Sequence, residues 1–325
     1  MLVGVVLALA ASVAYGLSDV LSGSAVRRYS TASVALWSQL TGLLLLGAAA
    51  LVVRPALSRP AVGWGLAAGA LAAVALLLFY TALQYGRTAV VAPVTGSGVV
   101  IPVVAGLLGG QVLAWPAVVG VVAVVVGVLV VAATGDGDGP DTSGAGEGEH
   151  RRLVRPSPAR AHPVPADDRC VPEDDATSTR VSVVLAALAA LGFGGFFVLL
   201  DLATTAAGAA DPGGLGPAIA VALAVQVGAL VVTLLAASRH TRACLAPHPR
   251  LLATAGAIGL VDVVGDLAIV AAVGIGPLAA VGPLGSLDPV VSVVVAVAVL
   301  GERLRAVQAL GIGAVLVGVV LVATG

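Results

Sequence analysis

Residues 109–132 read GGQVLAWPAVVGVVAVVVGVLVVA, and residues 300–323 read LGERLRAVQALGIGAVLVGVVLVA. Gly110, Gly120 and Gly127 of the first stretch fall on Gly301, Gly311 and Gly318 of the second at a constant offset of 191 residues, with Gln111 in the place of Glu302. Working outward, Gly86 and Pro93 fall on Gly276 and Pro283 at an offset of 190. The two starts align as well: VVLALAASVAYG ends at Gly16 and VVLAALAALGFG ends at Gly194. Gln39 and Gln226 hold similar places. Matches at several spaced landmarks mark an internal duplication, which runs of Val and Ala alone would not.

Each copy carries five apolar windows. They run at 2–22, 31–53, 61–84, 89–109 and 112–133, then 182–202, 215–237, 251–274, 277–299 and 306–323. A membrane-spanning helix needs about 20 apolar residues, and each window is near that length. Hydrophobic residues make up 59% of the 325, charged residues only 10%, and mean hydropathy is +1.10. Soluble domains carry roughly 25% charged residues, so lipid must be the main solvent here. Soluble enzymes and disulfide-stapled secreted domains are excluded. A net charge of −1 leaves no basic field for nucleic acid. Five is an odd number, so the second copy enters the membrane from the opposite side. The expected fold is therefore an all-α integral membrane protein, multi-pass in the cell membrane, with ten transmembrane helices as two inverted five-helix repeats.

Between the copies lies 134–180, with ten of the 17 acidic residues and six of the 16 Arg. Its Gly, Pro, Ser and charge leave little apolar surface to bury, so it reads as a disordered hydrophilic linker. The domains expected are 1–133, the linker 134–180, and 181–325. Cys170 and Cys244 both lie outside the windows and make no disulfide framework. His240, Cys244 and His248 are four residues apart in a loop, and a solvated loop outweighs a metal site there. No metal or cofactor is expected.

Every Arg sits in or beside a loop, and there is no Lys. The deep charges are all carboxylates: Asp19, Asp201, Asp262, Asp266 and Asp288. Asp19 and Asp201 lie near span ends and read as reaching out to water. Asp262 and Asp266 lie mid-window, four residues apart on one helical face. Each central Asp costs roughly 2.5–3.5 kcal/mol on insertion, and each Leu, Ile or Val returns about 0.3–0.6 kcal/mol. The window's eleven Leu, Ile and Val together return roughly 3–7 kcal/mol against about 5–7 for the two Asp, so this helix needs partners, water or a proton. Two carboxylates one turn apart repel when both are charged, and a proton held between them relieves that. The pair reads as a binding place for a coupling proton or a cationic amine. The competing reading is a pair of protonated acids hydrogen-bonded to their neighbours.

Asp288 precedes Pro289, with Pro283, Gly285 and Ser286 just before it; the fourth window carries Pro93, Thr95, Gly96, Ser97, Gly98 and Pro102. Proline frees a helix carbonyl, which survives in lipid only where it is buried or faces a wet cavity. Breaks at matching places in both copies are the best sequence pointer to a substrate site, against simple packing kinks. The candidate substrate- or proton-binding residues are Asp262, Asp266, Asp288, Ser286, Thr95, Gln39 and Gln226. For the two Gln, pairing between helices is the competing reading. Gly65-x-x-x-Gly69 and Gly106-x-x-x-Gly110 read as helix-packing motifs, and Phe193, Phe196 and Phe197 as packing.

These landmarks resemble the drug/metabolite transporter superfamily, in its EamA-type group of two five-helix repeats. The match covers nearly everything outside the linker. Leu287-Asp288-Pro289 resembles the apolar–acidic–Pro step of that group, and Gly301-Glu302-Arg303-Leu304, with Gln308, Gly311 and Gly318, its Gly-Glu-Arg-Leu turn. Tyr15-Gly16 and Phe193-Gly194 resemble its aromatic-Gly pair. The first copy departs: Gln111 replaces the acid, and Gly98 stands where Pro is usual. The resemblance implies secondary transport of a small metabolite or drug-like compound, with export as the direction. The expected partners are a small-molecule substrate, the lipid bilayer, a coupling proton and a second copy as a homodimer; nucleic acid is not one. The rivals are a membrane sensor or scaffold, and an intramembrane enzyme. For the enzyme, Gly265-Asp266 lacks a Gly at position 263, which is Val.

Orientation divides the two lines of reasoning. Let side A hold both termini. Its loops contain Arg54 and Arg59, while side B and the linker hold the other 14 Arg. The Arg distribution puts side B in the cytoplasm; the resemblance implies the reverse.

Overall fold

The computed structural model describes residues 2–26, 28–56, 58–85, 91, 94–134, 175–207, 214–238, 248–288, 290–291, 294–295 and 306–324. The described chain is helical, without a strand. The helices are α1 (Leu2–Val26), α2 (Thr31–Val53), α3 (Arg59–Tyr85), α4 (Val100–Leu108), α5 (Trp115–Thr134), α6 (Asp175–Ala207), α7 (Leu215–Ala237), α8 (Pro249–Ile275), α9 (Leu278–Gly285) and α10 (Ala306–Thr324). Six of them (α1, α2, α3, α6, α7 and α8) are long and apolar enough to cross a membrane. Helix is the form that satisfies each backbone N–H and C=O within its own segment, which lipid demands. Local chemistry sets the ends. Ser30 caps α2 by accepting from the Ser33 N–H at 3.2 Å, and His248 caps α8 through Nδ1, with Pro249 in the first turn.

Two expectations shift, the start of the second copy and the role of Gly110. The first helix of the second copy starts at Asp175, inside the stretch assigned to the linker. The irregularities expected in the fourth and ninth windows take different forms: a 3-10 turn, Ser97–Val99, lies within the helical stretch that continues as α4, whereas α9 ends at Gly285 before helical residues resume at Asp288. Gly110 is not a packing glycine. It has open space around it and a φ of +83°, and it closes a turn described below. Residues 135–174, Pro93, His240, Cys244, Pro289 and Gly301–Arg305 lie outside the described residues.

Packing between helices in lipid gains little from hydrophobicity and depends on close backbone approach. The glycines show where. A Cβ on Gly120 would stand 2.6 Å from the Gly318 carbonyl oxygen, and one on Gly318 would stand 2.6 Å from the Gly120 carbonyl. Gly127 meets the Gly311 carbonyl at the same 2.6 Å. Contacts that climb along α5 therefore descend along α10, and the two helices cross antiparallel. On the other seams, Gly69 of α3 abuts the Val225 carbonyl of α7, and Gly259 of α8 abuts the Ser38 carbonyl of α2. Gly16 of α1 abuts the Asp288 carbonyl and Val291, while Gly194 of α6 abuts the Gly98 carbonyl and Ile101. Each contact has its counterpart with the copies exchanged. The pairings α3 with α6 and α1 with α8 follow the same exchange, as do α3 with α7 and α2 with α8.

Candidate functional site

α1 carries the polar stripe on which the site is built. Ser12, Tyr15 and Asp19 recur at helical spacing on one face, roughly opposite the exposed apolar stripe of Val6, Val13 and Leu17. α8 packs along it and presents Asp262 and Asp266, roughly opposite its own exposed Leu260 and Val264. Both carboxylates therefore point into the protein and away from acyl chains. The Tyr15 hydroxyl donates to Asp266 Oδ1 at 2.8 Å, and the buried Ser18 lies beside Asp262. Gly265 makes room for this: a Cβ there would stand 2.8 Å from the Tyr15 ring.

The break after α9 supplies the third carboxylate. At the break, Leu284 keeps a free carbonyl and Leu287 a free N–H. Ser12, 1% exposed, satisfies both. Its hydroxyl donates to the Leu284 carbonyl at 2.6 Å and accepts from the Leu287 N–H at 3.2 Å. Helical bonding resumes from the Leu287 carbonyl, which accepts from Val290 and Val291. Asp288 sits in that restarting turn, beside Gly16. Ser286 bonds back within its own helix, to the Gly282 carbonyl at 3.0 Å.

The structure thus brings Asp262, Asp266 and Asp288 together and adds Asp19. Asp19 is exposed on the surface of the protein and lies within electrostatic reach of Asp288 and Asp262. Tyr80 of α3 lies within electrostatic reach of Asp19. Among the described residues the charged neighbours of the four carboxylates are one another, with Tyr15, Ser18 and Tyr80 as neutral ones and no basic side chain. Asp201, half-buried on α6, stands apart. Sequence reasoning missed Ser12, Ser18 and the role of Asp19, although their three- to four-residue spacing with Tyr15 was there to read.

The remaining candidates lie elsewhere. Gln226 is buried, and its Nε2 donates to the Gln39 backbone carbonyl at 2.8 Å, so pairing between α2 and α7 is its observed use. Gln39 Oε1 and Thr95 Oγ1 are buried without a hydrogen-bond partner. Thr95 precedes the first copy's turn, where Ala190 stands in the repeat position of Ser12. Phe196 and Phe197 make an edge-on ring contact at 5.3 Å, in keeping with packing.

A chain of long apolar helices folded around a carboxylate-lined centre is an integral membrane protein. The model of the EamA-like transporter family matches residues 2–133 and 180–324. The chain belongs to that family, and the family makes it a membrane transporter of small molecules. A solved crystal structure 15% identical in sequence superposes with a TM-score of 0.69, covering 98% of this chain and 95% of the other; at that identity the likeness concerns the fold alone. No curated protein matches the chain.

Proposed function

We propose that this chain is a proton-coupled secondary transporter that exports a small metabolite or drug-like compound by alternating access, and that it has no enzymatic activity. The two copies, residues 1–133 and 181–325, act as inverted bundles that rock about the acidic centre. Reciprocal contacts between the copies and the antiparallel crossing of α5 and α10 support the inverted relation.

One observation carries the reading: four carboxylates from α1, α8 and the break after α9 converge, and among the described residues no cationic side chain partners them. An uncompensated carboxylate at membrane depth is expensive, and such residues mark ion and proton paths. Protonation or a cationic group of the substrate removes the cost, and one excludes the other. That competition is the means of exchange.

The test is the double variant D262N/D266N in proteoliposomes under an imposed pH gradient. Gradient-driven uptake of test compounds is expected to be lost, with thermal stability retained. Undiminished gradient-driven flux in a well-folded double variant would overturn the reading. Flux in the unaltered protein also separates transport from a sensor or scaffold.

A further inference from the structure

The turn after α4 has a second role. Gly110, at φ +83°, closes a C-terminal cap in which the Gln111 N–H donates to the Gly106 carbonyl at 3.0 Å and the Gly110 N–H to the Leu107 carbonyl at 3.1 Å. This is the Schellman arrangement, which needs a left-handed residue at that position. It fixes the backbone of Gln111 at the mouth of the neighbouring short helix. The Gln111 side chain then reaches 168 residues along the chain: its Oε1 accepts from the Ala279 N–H at 3.0 Å.

That N–H needs an outside partner. α9 begins after Pro277, whose side chain offers no cap; the Pro277 carbonyl accepts from Ala280 and Val281, which leaves the Ala279 N–H free. Gln111 supplies in trans the cap that Pro277 cannot. The same seam is tight below it. A Cβ on Gly106 would stand 2.8 Å from the Ala279 nitrogen, and one on Gly282 would stand 2.6 Å from Pro102. α9 is buried along its whole length, and the start of α1 closes over it, with Gly4 against Gly276. All of this lies at the end holding both termini, side A. The acidic centre instead comes to the protein surface at Asp19, in the half of α1 nearer side B.

We propose that Gln111 is the side-A latch: by capping α9 from the other copy it holds that end of the molecule shut, and it must let go for the centre to open there. The proposal rests on the alternating-access reading above. The test distinguishes their failures.

In a C170S/C244S background, a reporter cysteine replaces Leu278, which is 2% exposed. Labelling by a polar maleimide is followed in nanodiscs, where both faces meet reagent. Loss of a helix cap shifts an equilibrium about fivefold or more. Q111A and Q111L are therefore expected to label at L278C about fivefold faster than the protein with Gln111. Q111E keeps an acceptor oxygen for the Ala279 N–H and is expected to stay slow. Equal rates in all four proteins would overturn the latch, and so would a Q111E as fast as Q111A, since capping would then not be what closes the seam. A second reporter, D19C, separates the two ideas. Slower D19C labelling in Q111A shows side B closing as side A opens. Unchanged D19C labelling with faster L278C labelling keeps the latch and removes alternating access.

Discussion

The antiparallel seam between α5 and α10 predicts a specific pattern of energetic coupling. The Gly120→Ala Cβ would stand 2.6 Å from the Gly318 carbonyl oxygen, where ordinary contact begins near 3.4 Å. The helices must separate by about 0.8 Å or the backbone must bend, since the obstructing atom is main chain. Overpacking of this kind costs about 1–3 kcal/mol, and Gly318→Ala meets the reciprocal obstruction. Once one alanine has opened the seam, the second finds room already made. G120A/G318A should therefore cost less than the sum of its single variants, by about 0.5–1 kcal/mol or more. Gly311 lies seven residues further along α10, about 10 Å away at 1.5 Å per residue. G120A/G311A should therefore be additive within about 0.5 kcal/mol. Denaturant unfolding in mixed micelles, read by circular dichroism, gives all the values. A parallel crossing would reverse the pattern. Strong coupling for G120A/G311A with additivity for G120A/G318A would refute the antiparallel seam and, with it, the inverted relation of the copies.

Tyr15→Phe keeps the ring against Gly265 and removes only the donation to Asp266. A hydrogen bond to a charged group contributes about 1.5–3 kcal/mol, so proton-driven flux is expected to fall roughly tenfold, with a modest loss of stability beside it; unaltered flux contradicts the assignment. Ser12→Ala leaves the Leu284 carbonyl and Leu287 N–H unpaired in a buried place, at a cost of about 1–3 kcal/mol in the same unfolding assay, whereas a surface serine such as Ser24 should cost almost nothing. The Arg distribution expects Cys170 to resist an impermeant maleimide in intact cells and to react after permeabilisation; labelling in intact cells would give the opposite orientation.

The acidic pair illustrates how far the sequence goes. Asp262 and Asp266 were legible because a four-residue spacing in an apolar helix implies one face and a cost that must be met. Asp288 was legible because proline and glycine beside an acid mark a break. Neither argument contains what lies opposite. Asp19 read as a span-end residue because the chain gives its depth along α1 and not the identity of the facing helix. Gln226 read equally as a substrate ligand or an interhelical partner, and only the position of the Gln39 carbonyl decides between them. Gly110 fitted a small-residue packing spacing, yet its backbone is left-handed and a Cβ built on it would meet no neighbour. Spacing cannot distinguish a helical glycine from one that ends the helix.

By itself, then, the chain determined its solvent, its helices, its duplication and the two places where helices depart from regularity. These follow from local quantities: hydropathy over about 20 residues, period, and the missing N–H of proline. Tertiary structure alone decided that Ser12 bridges the break, that Tyr15 holds the Asp266 carboxylate, and that Gln111 caps a helix in the other copy. Each of these joins groups 168 to 275 residues apart, and a hydrogen bond depends on ångström proximity that no local pattern encodes.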